Sequence, residues 1–314
     1  MTFLRVNGAA LHYTRTGPGP GRDAEPLLWL PGFAISSRAW EPVLPHYDTY
    51  YDCISFDNRA SGRSGPTRRV ISIPSLAADA VGVLDALGIE AAHVYGISYG
   101  GMVAQEMAIR FPDRVRGLIL GGTTPGGPRA ILPSPAELVG LGRRMRSGSG
   151  RFGLSAALFS EQFLREQPER AEDLTKNLQR HRAPFSGMAA HLLASVYHDT
   201  VSRLRLIRAP TLVVHGGEDR MTPLRNAELL AERIPDAELA VIPGTGHAYL
   251  LEKPEESAEV VLEFLRRRDP QPGRVRRNHT EPLTRAWGLP VGALRTARSL
   301  AERTWRFDRS RPNA

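Results

Sequence analysis

The sequence predicts an α/β fold: a mostly parallel sheet with helices on both faces and a helical cap inserted between the sixth and seventh strands. Three observations carry this. Short apolar runs of strand length alternate with longer helix-like stretches through most of the chain. One such run passes directly into a helix through Gly96-Ile97-Ser98-Tyr99-Gly100-Gly101. The stretch from Pro128 to Arg205, which interrupts the alternation, is too long for a plain connection and carries helical patterning of its own. At 314 residues the chain is long enough for one large core bearing such an insertion.

In chain order, Leu27 to Leu30 is the third strand, and Pro31-Gly32-Phe33 leads out of it. Ile54-Ser55-Phe56, beside Cys53, is the fourth. Asp79 to Leu87 reads as a helix stopped by Gly88. Ala91 to Tyr95 is the next strand, Met102 to Arg110 the helix after it, and Gly117 to Leu120 the strand that follows. Within the insertion, Leu138-Val139 with Leu141, Leu154 to Phe159 with Phe163-Leu164, and Leu192-Leu193 with Val196-Tyr197 have amphipathic helical spacing. These stripes are expected mainly to pack, and Gly148, Gly150 and Gly153 either permit lid movement or form a surface loop. Thr211 to His215 resumes the sheet, Thr222-Pro223 opens a helix, and Glu238 to Ile242 is a further strand. The chain thus divides into a core in two parts, 1–127 and 206–267, a cap at 128–205, and a basic tail at 268–314.

The strand-to-helix turn holds the densest chemistry. A serine at its apex must adopt a strained backbone conformation for its Oγ to project clear of the sheet. Strand and helix then run so close that the positions two before and two after Ser98 have no room for a Cβ, and both are glycine. The helix beginning near Tyr99 aims its amides and the positive end of its dipole at charge developing beside Ser98. Ser98 is therefore the candidate nucleophile.

Such a serine needs a base, and the base needs an orienting carboxylate. In this architecture both follow the serine, the acid first. His247 stands in a loop of small residues, Pro243-Gly244-Thr245-Gly246, that lets an imidazole approach. His215 closes an apolar run and reads as a core or strand-end residue. His181, His191 and His198 fall in polar, helical surroundings and read as surface or helix-cap positions, while His279 belongs to the tail. Asp219, just past the strand ending at His215, is the candidate acid, with Glu218 as its neighbouring competitor. The backbone N–H groups of Tyr99 and Phe33 are the candidate donors to a tetrahedral oxyanion.

Together these residues resemble the α/β-hydrolase superfamily from about Val6 to Leu265. Asp57-Asn58-Arg59-Ala60-Ser61-Gly62-Arg63-Ser64 is similar to the turn after the fourth strand in many members. Phe111-Pro112-Asp113-Arg114-Val115, Leu206 to Asp219 and His247 to Pro254 match the same pattern. Within the superfamily the chain is most similar to the esterase and lactonase group of 3-oxoadipate enol-lactonases and aclacinomycin-type methylesterases. It departs from that group at Pro31, where a His usually precedes the oxyanion glycine, at Ala60, usually Gly, and at Tyr99, commonly Met. Tyr99 is expected to add a hydroxyl at the pocket floor.

Composition narrows the setting. A single cysteine, Cys53, excludes an intramolecular disulfide and suits a reducing, cytoplasmic compartment, as does the lack of a secretory or membrane-spanning apolar run. No Cys/His/Asp cluster has metal-ligand spacing and no glycine-rich phosphate loop appears, so neither metal nor cofactor is expected. From Arg266 onward thirteen arginines face four acids, a net of +9; the whole chain is +8, leaving −1 for residues 1–265. The basic character belongs to the tail. Pro270 to Thr280 reads as a linker, and Val291, Leu294, Ala297, Leu300, Ala301 and Trp305 can share one helical face. A solvated or loosely docked tail is the plain reading; the alternative is weak contact with an anionic membrane or partner. Nucleic-acid binding is not expected, because no recognition motif accompanies the arginines.

The function expected is a cofactor-free serine hydrolase that cleaves a small-molecule carboxylic ester or lactone through an acyl-enzyme on Ser98. An acyltransferase or perhydrolase would use the same triad with another acceptor. A ligand-binding protein on this scaffold would keep the fold without an activated serine.

Overall fold

The computed structural model describes residues 2–18, 24–67, 70–133, 154–180, 182–268 and 288–289. The strands are β1 (Phe3–Val6), β2 (Ala9–Thr16), β3 (Pro26–Leu30), β4 (Asp52–Phe56), β5 (Ala92–Ile97), β6 (Val115–Gly121), β7 (Thr211–Gly216), β8 (Ala237–Ile242) and β9 (Gly288–Leu289). The helices are α1 (Ile73–Ala86), α2 (Tyr99–Arg110), α3 (Ser155–Leu158), α4 (Glu161–Glu166), α5 (Pro168–Arg180), α6 (Phe185–Val196), α7 (Arg225–Arg233), α8 (Tyr249–Glu252) and α9 (Pro254–Arg268). The strands form one sheet in the order β1-β2-β4-β3-β5-β6-β7-β8-β9. β3 to β8 run parallel, with β1, β2 and β9 antiparallel at the edges. The β1–β2 hairpin adds to the strands read from the sequence; it turns on Asn7-Gly8, both at positive φ, the pair suited to a tight hairpin.

Both faces of the sheet are covered, so its central strands are buried throughout rather than alternating apolar and polar. Alternation survives as a choice of core. Leu28 and Leu30 enter one apolar cluster with residues of α1, α2 and α7; Leu27 and Trp29 enter the other with Trp40, Tyr47, Tyr95 and the inner face of α9. Cys53 lies in this second core, where burial pushes its thiol up to about 12 and keeps it unreactive.

Element boundaries differ from expectation for local reasons. α1 starts at Ile73, ahead of Asp79, because Ser72 and Ser75 form a reciprocal capping box with Pro74 in the first turn. α7 starts at Arg225 rather than at Thr222, whose N–H donates to Asp219 instead. α5 was not legible as an apolar stripe, since only Ala171 and Thr175 of its residues are buried. On α6 the expected packing stripe faces outward: Leu192, Leu193, Val196 and Tyr197 are 55–80% exposed, and Gly187, His191 and Ala194 face in. The Leu138 to Leu141 stripe, the glycines at 148, 150 and 153, His181, His279 and most of the tail lie outside the described residues. Among the described residues, no helix is long and apolar enough to cross a membrane.

The turn after β4 is tied into the core by a buried ion pair. Arg59 donates through Nε and Nη2 to both oxygens of Asp79 on α1, and the two side chains are 4% and 0% exposed. Asp79→Ala leaves the guanidinium buried without its partner. The expected loss is about 3–5 kcal/mol, read by urea unfolding; a loss under about 1 kcal/mol would show that the turn does not depend on the pair.

Candidate active site

The parallel strands end on one edge of the sheet, and the loops leaving β3, β5, β7 and β8 meet there. Ser98 sits between β5 and α2 at φ 53° and ψ −117°, a strained backbone costing about 1–3 kcal/mol. Neighbours hold it: its N–H donates to the Gly121 carbonyl at 2.7 Å, and its carbonyl accepts from Thr123 Oγ1 at 2.6 Å. A Cβ at Gly96 would collide with the Gly100 carbonyl, and one at Gly100 with the Leu30 carbonyl. Tyr99 opens α2, so its N–H has no acceptor within the helix.

His247 Nδ1 lies 2.8 Å from Asp219 Oδ2, while Asp219 Oδ1 accepts from the N–H groups of Met221 and Thr222 at 2.8 and 2.9 Å. The Asp219 side chain is fully buried; Glu218, beside it, points to solvent. Burial alone would lower the His247 pKa, but the Asp219 charge and hydrogen bond reverse the sign and raise it. Burial works against ionised Asp219 too, yet His247, His215 and the Thr222 N–H hold its pKa below the usual carboxylate value. A histidine so held presents its other nitrogen as a proton acceptor.

Ser98, His247 and Phe33 line one cavity of about 300 Å³. Its remaining walls are largely apolar, with Ile35, Trp40 and Ile97 from the core and Leu154, Leu158, Leu178 and Met188 from the segment between β6 and β7. Asp219 stands outside it, hydrogen-bonded to His247. Tyr99 does not supply a hydroxyl to the pocket floor: the ring is 2% exposed and its oxygen pairs with His191 Nδ1 at 3.0 Å. Among the described residues no group of three or more His, Cys, Asp or Glu could hold a metal ion.

Several side chains around the site escaped sequence reasoning. His191 and His198 are buried, not surface or cap residues, because α6 turns His191 inward and His198 packs against Gly126. His215 is buried at a strand end, as read, but also lies 3.4 Å from Asp219 Oδ2. Its spacing of four residues from Asp219 was the available signal. Glu252 was missed as well. Its Oε1 accepts from the N–H groups of Gly246 at 2.7 Å and Ser160 at 3.0 Å, and its Oε2 accepts from Ser160 Oγ at 2.6 Å. One buried carboxylate thereby joins the His247 loop to the start of α4. A glutamate closing the apolar Tyr249-Leu250-Leu251 was the clue.

Residues 25–254 match the family described as the alpha/beta hydrolase fold. The chain is 30% identical to a poly(3-hydroxyalkanoate) depolymerase of Ectopseudomonas oleovorans, over 80% of this chain and 88% of that protein. It is 27% identical to 3-oxoadipate enol-lactonase 2 of Acinetobacter baylyi, over 84% and 96%. A solved thermophilic esterase from Thermogutta terrifontis superposes with a TM-score of 0.69 at 28% identity, covering 85% of this chain and 97% of the esterase. Fold and sequence agree: this chain belongs to the α/β-hydrolase family.

Proposed function

We propose that the protein is a serine hydrolase that cleaves a carboxylic ester or lactone through an acyl-enzyme on Ser98. The observation that carries this reading is that strained Ser98 and carboxylate-held His247 line the same apolar cavity. Ser98 Oγ attacks the acyl carbon as its proton passes to His247 Nε2. Asp219 keeps the imidazole in the required tautomer and stabilises the imidazolium that forms. The N–H groups of Tyr99 and Phe33 receive the oxyanion. Collapse returns the proton from His247 to the leaving alcohol, which stays tethered when the substrate is a lactone. Water deprotonated by His247 then releases the acid.

The cavity lies at the small end of ligand-site volumes, which favours a small or medium acyl group. Its apolar walls favour a hydrocarbon one. Within residues 154–196, Leu154, Leu158, Leu178 and Met188 act as a lid that shields the reacting carbonyl from bulk water. The names of two relatives, an enol-lactonase and an esterase, support this class of substrate, while other relatives are named as carbamate and 2-hydroxy-6-oxononadienedioate hydrolases.

A fluorophosphonate probe should label Ser98 in the wild type and leave Ser98→Ala unlabelled, as read by peptide mapping. On p-nitrophenyl butyrate the same substitution should lower kcat by at least about 10⁴-fold. Wild-type protein that is folded yet unlabelled would remove the reading.

His247 acts as a base only when neutral, and its pKa is raised. Consequently kcat/KM should hold on the alkaline side and fall as pH drops through that raised value. Asp219→Asn removes the charge that opposes burial, so the falling limb should move to lower pH while kcat drops about 10⁴-fold. A limb left in place would show that another group sets it.

A further inference from the structure

One short run of the segment between β6 and β7 hydrogen-bonds next to both candidate oxyanion donors, at the Ala34 carbonyl and the Tyr99 hydroxyl. The Ala183 N–H donates to the Ala34 carbonyl at 2.7 Å, one residue beyond Phe33, where Ala34 itself is left-handed at φ 53°. Along α6, the backbone at Gly187 lies against Ala60 so closely that a Cβ would strike its carbonyl. One turn later comes His191, fully buried, with Nδ1 3.0 Å from the Tyr99 hydroxyl and Nε2 3.0 Å from the Arg59 carbonyl. A carbonyl only accepts, so Nε2 carries the hydrogen. The neutral ring then has a bare Nδ1, and Tyr99 donates to it. Burial favours these states, lowering the His191 pKa and raising that of Tyr99. The Tyr99 ring also meets His191 edge-on at 5.3 Å and Phe33 edge-on at 6.0 Å, so the three rings form a continuous row.

We propose that His191 is a positioning residue for the oxyanion hole: through the Tyr99 hydroxyl it fixes the Tyr99 N–H relative to that of Phe33, so that the hole is complete only while residues 183–191 are docked. This rests on the serine-hydrolase reading above. The donors are backbone groups, which no side-chain substitution removes, and His191 gives a handle on them. Oxyanion donors must lie about 2.7–3.1 Å from the developing charge, and losing one costs about 10²- to 10³-fold in kcat. A donor displaced rather than lost costs less, and the loss falls on the transition state rather than on substrate binding.

The test compares His191→Leu, His191→Gln, Tyr99→Phe and the His191→Leu/Tyr99→Phe double variant on p-nitrophenyl butyrate, with fluorophosphonate labelling of each. His191→Leu should lower kcat and the labelling rate together by about 10-fold or more, with KM within about threefold. Gln can accept from Tyr99 and donate to Arg59, and should restore most of the rate even where the Leu variant folds poorly. Tyr99→Phe should reproduce the Leu loss, and the double variant should fall no further than the larger single loss. Unchanged kcat in His191→Leu, a rise confined to KM, additive losses, or no rescue by Gln would each overturn the proposal while labelling of wild-type Ser98 still upheld the parent reading. Absent wild-type labelling would instead overturn both.

Discussion

Around Ser98 the chain runs backbone against backbone. Gly96 touches the carbonyl of Gly100, and Gly100 touches the carbonyl of Leu30, so β5, the start of α2 and the end of β3 meet without intervening side chains. That contact dictates where Ser98 stands and how its backbone is bent. It also fixes the distance from the serine to the loop after β3, from which Phe33 and Ala34 project. Everything else at this edge is placed relative to it: Thr123 closes on the Ser98 carbonyl from the end of β6, while the loops after β7 and β8 bring in Asp219 and His247.

The electrostatics depend on one carboxylate placed between two imidazoles. Asp219 lies 2.8 Å from His247 Nδ1 and 3.4 Å from His215 Nε2, and the outcomes are opposite. At His247 the direct hydrogen bond and close charge outweigh burial, so the pKa rises. His215 spends its Nε2 hydrogen on the Thr222 carbonyl at 2.8 Å and meets Asp219 only at the longer distance, so burial prevails and the pKa falls. The site therefore holds one imidazole ready to gain a proton and a second one kept neutral beside the same acid.

What the sequence made legible was the set of features encoded locally. The elbow glycines follow from short spacing, and the candidates Asp219 and His247 were found past strand ends by the serine, acid, histidine order this architecture uses. Those choices place Ser98 and His247 on one cavity and Asp219 against His247. The histidines were harder, because burial is decided by contacts far apart in the chain. His191 meets Tyr99 across 92 positions and Arg59 across 132, and no window around residue 191 carries that information. The outward stripe on α6 is the converse case. Leu192, Leu193, Val196 and Tyr197 have the spacing of a packing face, yet the helix is oriented by Gly187 and His191 on its other side. The close approach of a small residue and two hydrogen bonds outranked apolar periodicity.

Glu252 has a consequence for how this scaffold tolerates substitution. Its two oxygens are divided between the Gly246 amide, next to His247, and the amide and hydroxyl of Ser160. Replacing Ser160 alone strands half of a buried carboxylate, and replacing Glu252 alone strands the donors; each intermediate is burdened by an unpaired polar group. A substitution at either position is therefore felt at the other, although 92 residues separate them. A change at Ser160 thus reaches the His247 loop through one buried carboxylate, whereas Leu154, Leu178 and Met188 meet the cavity with apolar side chains.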